Sequence, residues 1–118
     1  MTYEVDTMPS PHHPPAAVRR ILRKLGGDIR DARRRRRLPM AVVAERAFTS
    51  RSTLQRIEAG DPNAGIGIYA AVLNALGLLN GIGDLADIKH DTVGQALATA
   101  ELPARARIRR QLRKESSA

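Results

Sequence analysis

The stretch that decides the fold runs from residue 40 to residue 60 and reads MAVVAERAFTSRSTLQRIEAG. Its apolar residues recur at helical spacing, and the FTS tripeptide divides it into two short helices, 40–46 and 51–59. Ser50 stands directly before the second helix, where its hydroxyl can accept a free backbone N–H as an N-cap. Gly60 ends that helix, because glycine readily adopts the left-handed conformation found after helix C-termini. The stretch therefore predicts two short helices joined by a tight turn.

The side chains of this stretch also suit two helices that cross at a wide angle. Such helices need a small residue at their contact and apolar residues on their inner faces. Ala44 supplies the small residue, and Val43, Ala47, Leu54 and Ile57 supply the inward apolar positions. Together these residues indicate a helix-turn-helix motif.

Residues 25–77 resemble the Xre/Cro family of helix-turn-helix repressors, through LGGDIRDARRRRRLPMAVVAERAFTSRSTLQRIEAGDP. The resemblance implies an all-α, five-helix, lambda-repressor-like domain whose second motif helix enters the major groove of DNA. It implies base reading by Arg51, Ser52, Gln55 and Arg56. Arginine and glutamine can contact guanine and adenine in bidentate fashion, and each contact contributes about 1–3 kcal/mol of discrimination.

Other residues are expected to contact the DNA backbone or to belong to the scaffold. Backbone contacts are expected from Met40, Ser50, Thr53, Arg34, Arg36 and Arg37. Many family members have a phosphate-contacting glutamine in place of Met40, so this residue would contribute only its backbone N–H. Five consecutive arginines, 33–37, point around a whole helix and cannot all face one duplex. The family pattern instead pairs Arg33 with Glu58 and so ties the first helix to the recognition helix.

Two further positions depart from the family pattern. Phe48 stands where a turn glycine is usual. If the backbone needs a positive φ there, phenylalanine is strained; alternatively, its ring fills the gap between the helices. Pro39 replaces the usual capping serine or threonine.

Helical periodicity outside the motif predicts an all-α chain. Further helices are expected from residue 16 to Pro39, over 66–76, over 78–88 with two glycine interruptions, and over 93–101. The pair at 26–27 predicts a bend or a late start of the first helix. A short strand near residues 86–93 is left open.

The chain divides into three parts by composition. Residues 1–15 hold four of the seven prolines and predict a disordered, flexible tail. Residues 16–88 form the helix-turn-helix domain. Residues 89–118 form a C-terminal extension that contacts a second copy, a partner or DNA, and it ends in a basic helix or disordered tail.

The charge distribution indicates a polyanionic partner. The net charge is +8, with ten Lys or Arg against two Asp in residues 17–37 and six against one Glu in 104–118. Residues 61–101 carry one Lys and five acidic residues. Nucleic acid is the commonest polyanion that such a basic surface meets, and double-stranded DNA is the expected partner.

A second, looser resemblance covers residues 76–110, LGLLNGIGDLADIKHDTVGQALATAELPARARIRR, which are similar to the tail of HipB-like antitoxins. It implies a homodimeric autorepressor that binds a HipA-like Ser/Thr kinase toxin. The candidate dimer surface consists of Leu78, Leu79, Ile82, Leu85 and Ile88; the alternative is that some of these cover the core of their own monomer. Other hypotheses are a free-standing regulator and a protein-interaction module with vestigial DNA binding.

No residue pattern indicates an enzyme, a cofactor or a metal. The chain has no cysteine, and its histidines lack the spacing of metal ligands. Gly81 and Gly83 form an incomplete nucleotide-binding pattern, and neither Ser50 nor Ser52 has a candidate base nearby. The chain shows no signal peptide or membrane-spanning run, so a cytoplasmic location is expected.

Overall fold

The computed structural model describes residues 13–101. Within them lie six α-helices and one 3-10 helix, without any strand. The helices are α1 (Ala16–Arg35), α2 (Met40–Arg46), α3 (Arg51–Glu58), α4 (Ile66–Ala75), α5 (Asn80–Gly83) and α6 (Thr92–Glu101), with the 3-10 helix Ile88–His90 before α6. The predicted all-α fold is confirmed. Most of the expected N-terminal tail and the basic end of the C-terminal extension lie outside the described residues.

Contacts divide the chain into two compact units, one ending at Leu79 and the other beginning at Asn80. The first contains α1 to α4, and the second contains α5, the 3-10 helix and α6. The helix expected over residues 78–88 is reduced to the four residues of α5, because Gly81 and Gly83 lower its helix propensity.

The strand left open near residues 86–93 is replaced by the 3-10 helix. Asp87 caps it by accepting the backbone N–H of Lys89 at 2.9 Å. The Gln95 side-chain amide donates to Ile88 O at 2.7 Å, which holds α6 against the 3-10 helix within the second unit. Side-chain-to-backbone bonds of this kind satisfy backbone groups that a strand would otherwise pair.

The core of the first unit lies where the second half of α1 packs on α3, and where α2, α3 and α4 pack on one another. Its buried apolar side chains are Ile29, Ala32, Val43, Ala44, Ala47, Leu54, Ile57, Tyr69, Val72, Leu73 and Leu76. All five positions that the sequence placed between the motif helices are among them. The first half of α1 differs, because Val18 and Ile21 on its apolar stripe are exposed.

α1 is continuous through its two glycines, so of the two alternatives at residues 26–27, a bend or a late helix start, the late start is wrong. Gly26 faces α3, and a Cβ atom there would lie 2.6 Å from Ile57 O and 2.7 Å from Glu58 O. A Cβ at Gly27 would meet nothing within 4 Å. Gly26 therefore lets the backbones of α1 and α3 approach closely, and packing offsets its low helix propensity.

The four helices of the first unit end in the same backbone motif, in which one residue with positive φ follows the helix. The four residues are Arg37 (φ 54°), Phe48 (φ 55°), Gly60 (φ 75°) and Gly77 (φ 77°). In each case the next N–H reaches back to a carbonyl of the last turn: Leu38 to Arg33 at 3.2 Å, Thr49 to Ala44 at 2.9 Å, Asp61 to Arg56 at 3.0 Å and Leu78 to Leu73 at 2.8 Å. This is the Schellman arrangement, which satisfies carbonyls that the helix leaves free.

Phe48 is the second strained position in this series. Its side chain is 96% exposed, so the interpretation that its ring fills the gap between the helices is wrong. The other alternative was a strained phenylalanine, and the backbone at Phe48 has the positive φ that it required.

Candidate nucleic-acid interface

α3 presents one buried and one exposed face. Leu54 and Ile57 have no exposed surface. The four side chains predicted to read bases, Arg51, Ser52, Gln55 and Arg56, all lie exposed on the other side of the helix. The structure therefore brings this predicted set together on one solvent-facing surface, which we call the α3 face.

Hydroxyl groups organise the start of α3. Ser50 Oγ accepts the N–H of Thr53 at 3.1 Å, which is the N-cap expected from the sequence. The same hydroxyl donates to Thr53 Oγ1 at 3.0 Å and lies 3.1 Å from Ser52 Oγ. Ser52 is thus part of the capping cluster as well as of the α3 face.

Arg56 pairs with an acidic residue that the sequence reasoning missed. Its Nε donates to Asp61 Oδ2 at 2.7 Å, and the two side chains are 50% and 23% exposed. The backbone N–H of Asn63, followed by the Arg56 guanidinium, holds the pKa of Asp61 below its usual range. The available signal was an aspartate directly after a helix-ending glycine, which indicated only a turn.

Arg33 and Glu58 form a bidentate ion pair between α1 and α3. Arg33 Nε and Nη2 donate to the two carboxylate oxygens at 2.7 and 3.0 Å, and the side chains are 11% and 7% exposed. Arg33 Nη1 also donates to Leu38 O at 3.2 Å. The hydrogen bonds to Glu58 raise the pKa of Arg33. The Arg33 side chain therefore joins α1 to α3 within the protein.

The remaining arginines proposed for the DNA backbone lie at the end of α1. Arg34, Arg36 and Arg37 are exposed. Arg36 Nη1 donates to Ala32 O at 2.9 Å, so this side chain caps its own helix. Arg37 holds the positive-φ position described above.

A cleft opens between α1, the start of α2 and α3. Its lining residues are Arg30, Arg33, Arg34, Met40, Gln55, Glu58 and Ala59. Because Glu58 neutralises Arg33, the positive charge of this cleft comes from Arg30 and Arg34, which lie one helical turn apart. Sequence reasoning missed Arg30, although its spacing from Arg34 placed both on one side of α1. We call this feature the basic cleft.

The predicted dimer residues fall in both compact units. Leu78 and Leu79 end the first unit, whereas Ile82, Leu85 and Ile88 belong to the second. Ile82 is half-buried, and the other four are exposed.

Residues 24–81 match the protein family described as Helix-turn-helix domain. This part of the chain is therefore similar to helix-turn-helix domains, a class of domain that commonly binds DNA in regulators. No curated protein and no solved structure gave a significant match to the chain. Over residues 13–101, no helix is long and apolar enough to cross a membrane, and no three His, Cys, Asp or Glu side chains are grouped to hold a metal ion.

Proposed function

We propose that this protein is a sequence-specific DNA-binding transcriptional repressor and the antitoxin of a cytoplasmic type II toxin–antitoxin module. It reads bases through Arg51, Ser52, Gln55 and Arg56. The observation that carries the proposal is the α3 face, where these polar side chains are exposed opposite a fully buried apolar face. A recognition helix needs this division, because one side packs on the scaffold while the other enters the major groove.

The basic cleft supports contacts to the DNA backbone. It brings Arg34 and Met40 beside Gln55 of the α3 face and adds Arg30 to the set. Ser50 and Thr53 at the start of α3, and Arg36 and Arg37 at the end of α1, complete the proposed backbone contacts. Such contacts set the register of the protein on the duplex but carry no sequence information directly.

The proposed assembly is a homodimer that represses its own operon and binds a HipA-like Ser/Thr kinase toxin. Its support is the HipB-like pattern of residues 76–110 together with exposed apolar side chains at Leu78, Leu79, Leu85 and Ile88. Half-buried Ile82 belongs to the same proposed dimer surface. A two-fold dimer would bind half-sites about 10 base pairs apart.

The base-reading assignment is tested with the full chain and duplexes selected by it from a random pool. Arg51→Ala should lose about fivefold or more of the preference for the selected duplex over duplexes with one base pair changed, measured at fixed salt. Arg20→Ala on exposed α1 is the matched control, because it removes the same charge outside the α3 face. If the two variants discriminate equally well, the assignment of Arg51 is wrong.

The toxin partner is tested by copurification of the chain expressed from its native operon. A kinase that copurifies in a fixed ratio supports the antitoxin role. Selective DNA binding without such a partner would favour a free-standing regulator. A wild-type chain without preference among duplexes would favour an interaction module.

A further inference from the structure

Asp61 is held beside Arg56 through its backbone and its side chain. Its N–H donates to Arg56 O at 3.0 Å as part of the Schellman motif at Gly60. Its carbonyl accepts the hydroxyl of Tyr69, a buried residue of α4, at 2.9 Å. Its Oδ1 accepts the N–H of Asn63 at 2.8 Å, and its Oδ2 accepts Arg56 Nε at 2.7 Å. The carboxylate therefore has a defined place and orientation at the end of α3.

We propose that Asp61 is a positioning residue for base reading: it orients the Arg56 guanidinium toward a guanine in the major groove. This inference rests on the proposed DNA-binding function and deepens it. It assigns a role to an acidic residue beside a surface that must meet a polyanion, where a carboxylate would otherwise weaken binding.

The chemistry of the arginine fork carries the proposal. Guanidinium has five N–H donors in one plane. With Nε bound to Asp61, the two terminal nitrogens stay available, and the carboxylate restricts the plane in which they lie. A bidentate contact to O6 and N7 of guanine needs two coplanar donors. A preoriented side chain loses less conformational freedom on binding, so the gain in binding affinity is largest for the base that accepts both donors.

The position of Asp61 depends on the scaffold rather than on DNA. A Cβ at Gly60 would lie 2.5 Å from Leu22 O, so the turn that delivers Asp61 is packed against α1. Tyr69 adds a second anchor from α4. The protein scaffold thus holds Asp61 in place independently of a duplex, as preorientation requires.

The test measures discrimination rather than affinity alone. Binding of the full chain is measured at fixed salt to a pool-selected duplex and to duplexes that each carry one base-pair change. Arg56→Ala should abolish the preference at one guanine-containing pair, a change of about fivefold or more. Asp61→Asn, which keeps an oxygen for the Asn63 N–H, should lower the preference at that same pair by about threefold. In the Arg56→Ala background, Asp61→Asn should change nothing further at that pair.

Asp28→Asn is the matched control. It breaks the exposed Lys24–Asp28 pair of α1, 2.6 Å long, and makes the same change in net charge. It should leave discrimination at every pair unchanged. Asp61→Ser, whose hydroxyl can also accept the Asn63 N–H, should reproduce the effect of Asp61→Asn.

Two outcomes overturn the inference. In one, Asp61→Asn and Asp28→Asn discriminate alike at the Arg56-dependent pair. In the other, Asp61→Asn tightens binding to all duplexes equally, which would make Asp61 a competitor of DNA for Arg56. If the wild type itself shows no preference among duplexes, the proposed function fails instead.

Discussion

Phe48 adopts a left-handed backbone conformation that favours glycine, and its ring is almost fully exposed to solvent. A non-glycine residue in this region costs roughly 1–2 kcal/mol. The surrounding hydrogen bonds keep it there, since Phe48 N donates to Glu45 O and Thr49 N to Ala44 O. Burial of the ring does not offset the strain. A glycine at position 48 would therefore make the turn of the motif more stable than phenylalanine does.

Two substitutions of Phe48 distinguish the effect of backbone strain from the effect of losing the phenyl ring. Phe48→Gly should raise the free energy of unfolding by up to about 1 kcal/mol, because relief of strain exceeds the entropy that glycine adds to the unfolded chain. Phe48→Ala keeps a Cβ at positive φ and should give a smaller gain. Urea unfolding measures both variants. An equal gain for alanine and glycine would show that the ring, and not the backbone, is responsible.

At the scale of elements, the contact between α1 and α3 depends on two features, the close approach at Gly26 and the ion pair of Arg33 with Glu58. Neither involves the α3 face directly. Together they set the position of α3 relative to the arginines of α1, so they connect the scaffold to the proposed interface.

The adjacent glycines of α1 provide a matched test of this contact. Gly27→Ala should stabilise the fold by about 1 kcal/mol, because alanine has the higher helix propensity and its Cβ meets open space. Gly26→Ala should destabilise it by about 1–3 kcal/mol, since its Cβ would overlap the Ile57 and Glu58 carbonyls. Thermal unfolding compares them. Equal effects at both positions would rule out close packing at Gly26.

Removing one partner of the Arg33–Glu58 ion pair should lower the free energy of unfolding more than replacing both partners. Glu58→Leu alone leaves the buried Arg33 guanidinium without its carboxylate and should lower the free energy of unfolding by about 3–5 kcal/mol. Arg33→Met combined with Glu58→Leu should recover most of this loss, because no unpaired charge remains. Urea unfolding of the two variants measures the difference. If the double variant is no more stable than Glu58→Leu, the cost of Glu58→Leu does not come from an unpaired charge.

At the scale of the whole molecule, the net charge of +8 should make DNA binding depend strongly on salt. A dimer that makes about 6–10 phosphate contacts should lose roughly 10³–10⁵ in affinity between about 50 and 200 mM salt. Arg30→Ala in the basic cleft should reduce the slope of log affinity against log salt concentration by about 1 per protomer. It should weaken binding to all sequences alike. Titration of selected and unrelated duplexes measures both effects. If the affinity for DNA does not change with salt concentration, the basic surface does not contact phosphates.

The sequence alone was sufficient for α2, α3 and the cap between them. These depend on residues a few positions apart: apolar spacing places Leu54 and Ile57 on one face, Ser50 caps the helix start, and Gly60 permits the left-handed turn at its end. The same periodicity places Arg51, Ser52, Gln55 and Arg56 on the exposed side of α3, and the family resemblance selected them as base-reading candidates. Local rules of helix geometry and capping decide all of these features.

Only the tertiary structure decided how long-range neighbours modify them. Gly26 belongs inside a continuous helix because carbonyls of α3, distant in sequence, leave no room for a side chain. Arg56 meets Asp61 because the turn at Gly60 and the hydroxyl of Tyr69 bring the carboxylate to the end of α3. The stretch at residues 40–60 thus determined the motif by itself. The packing of α1 and α4 around it decided which of its side chains are free and which are held.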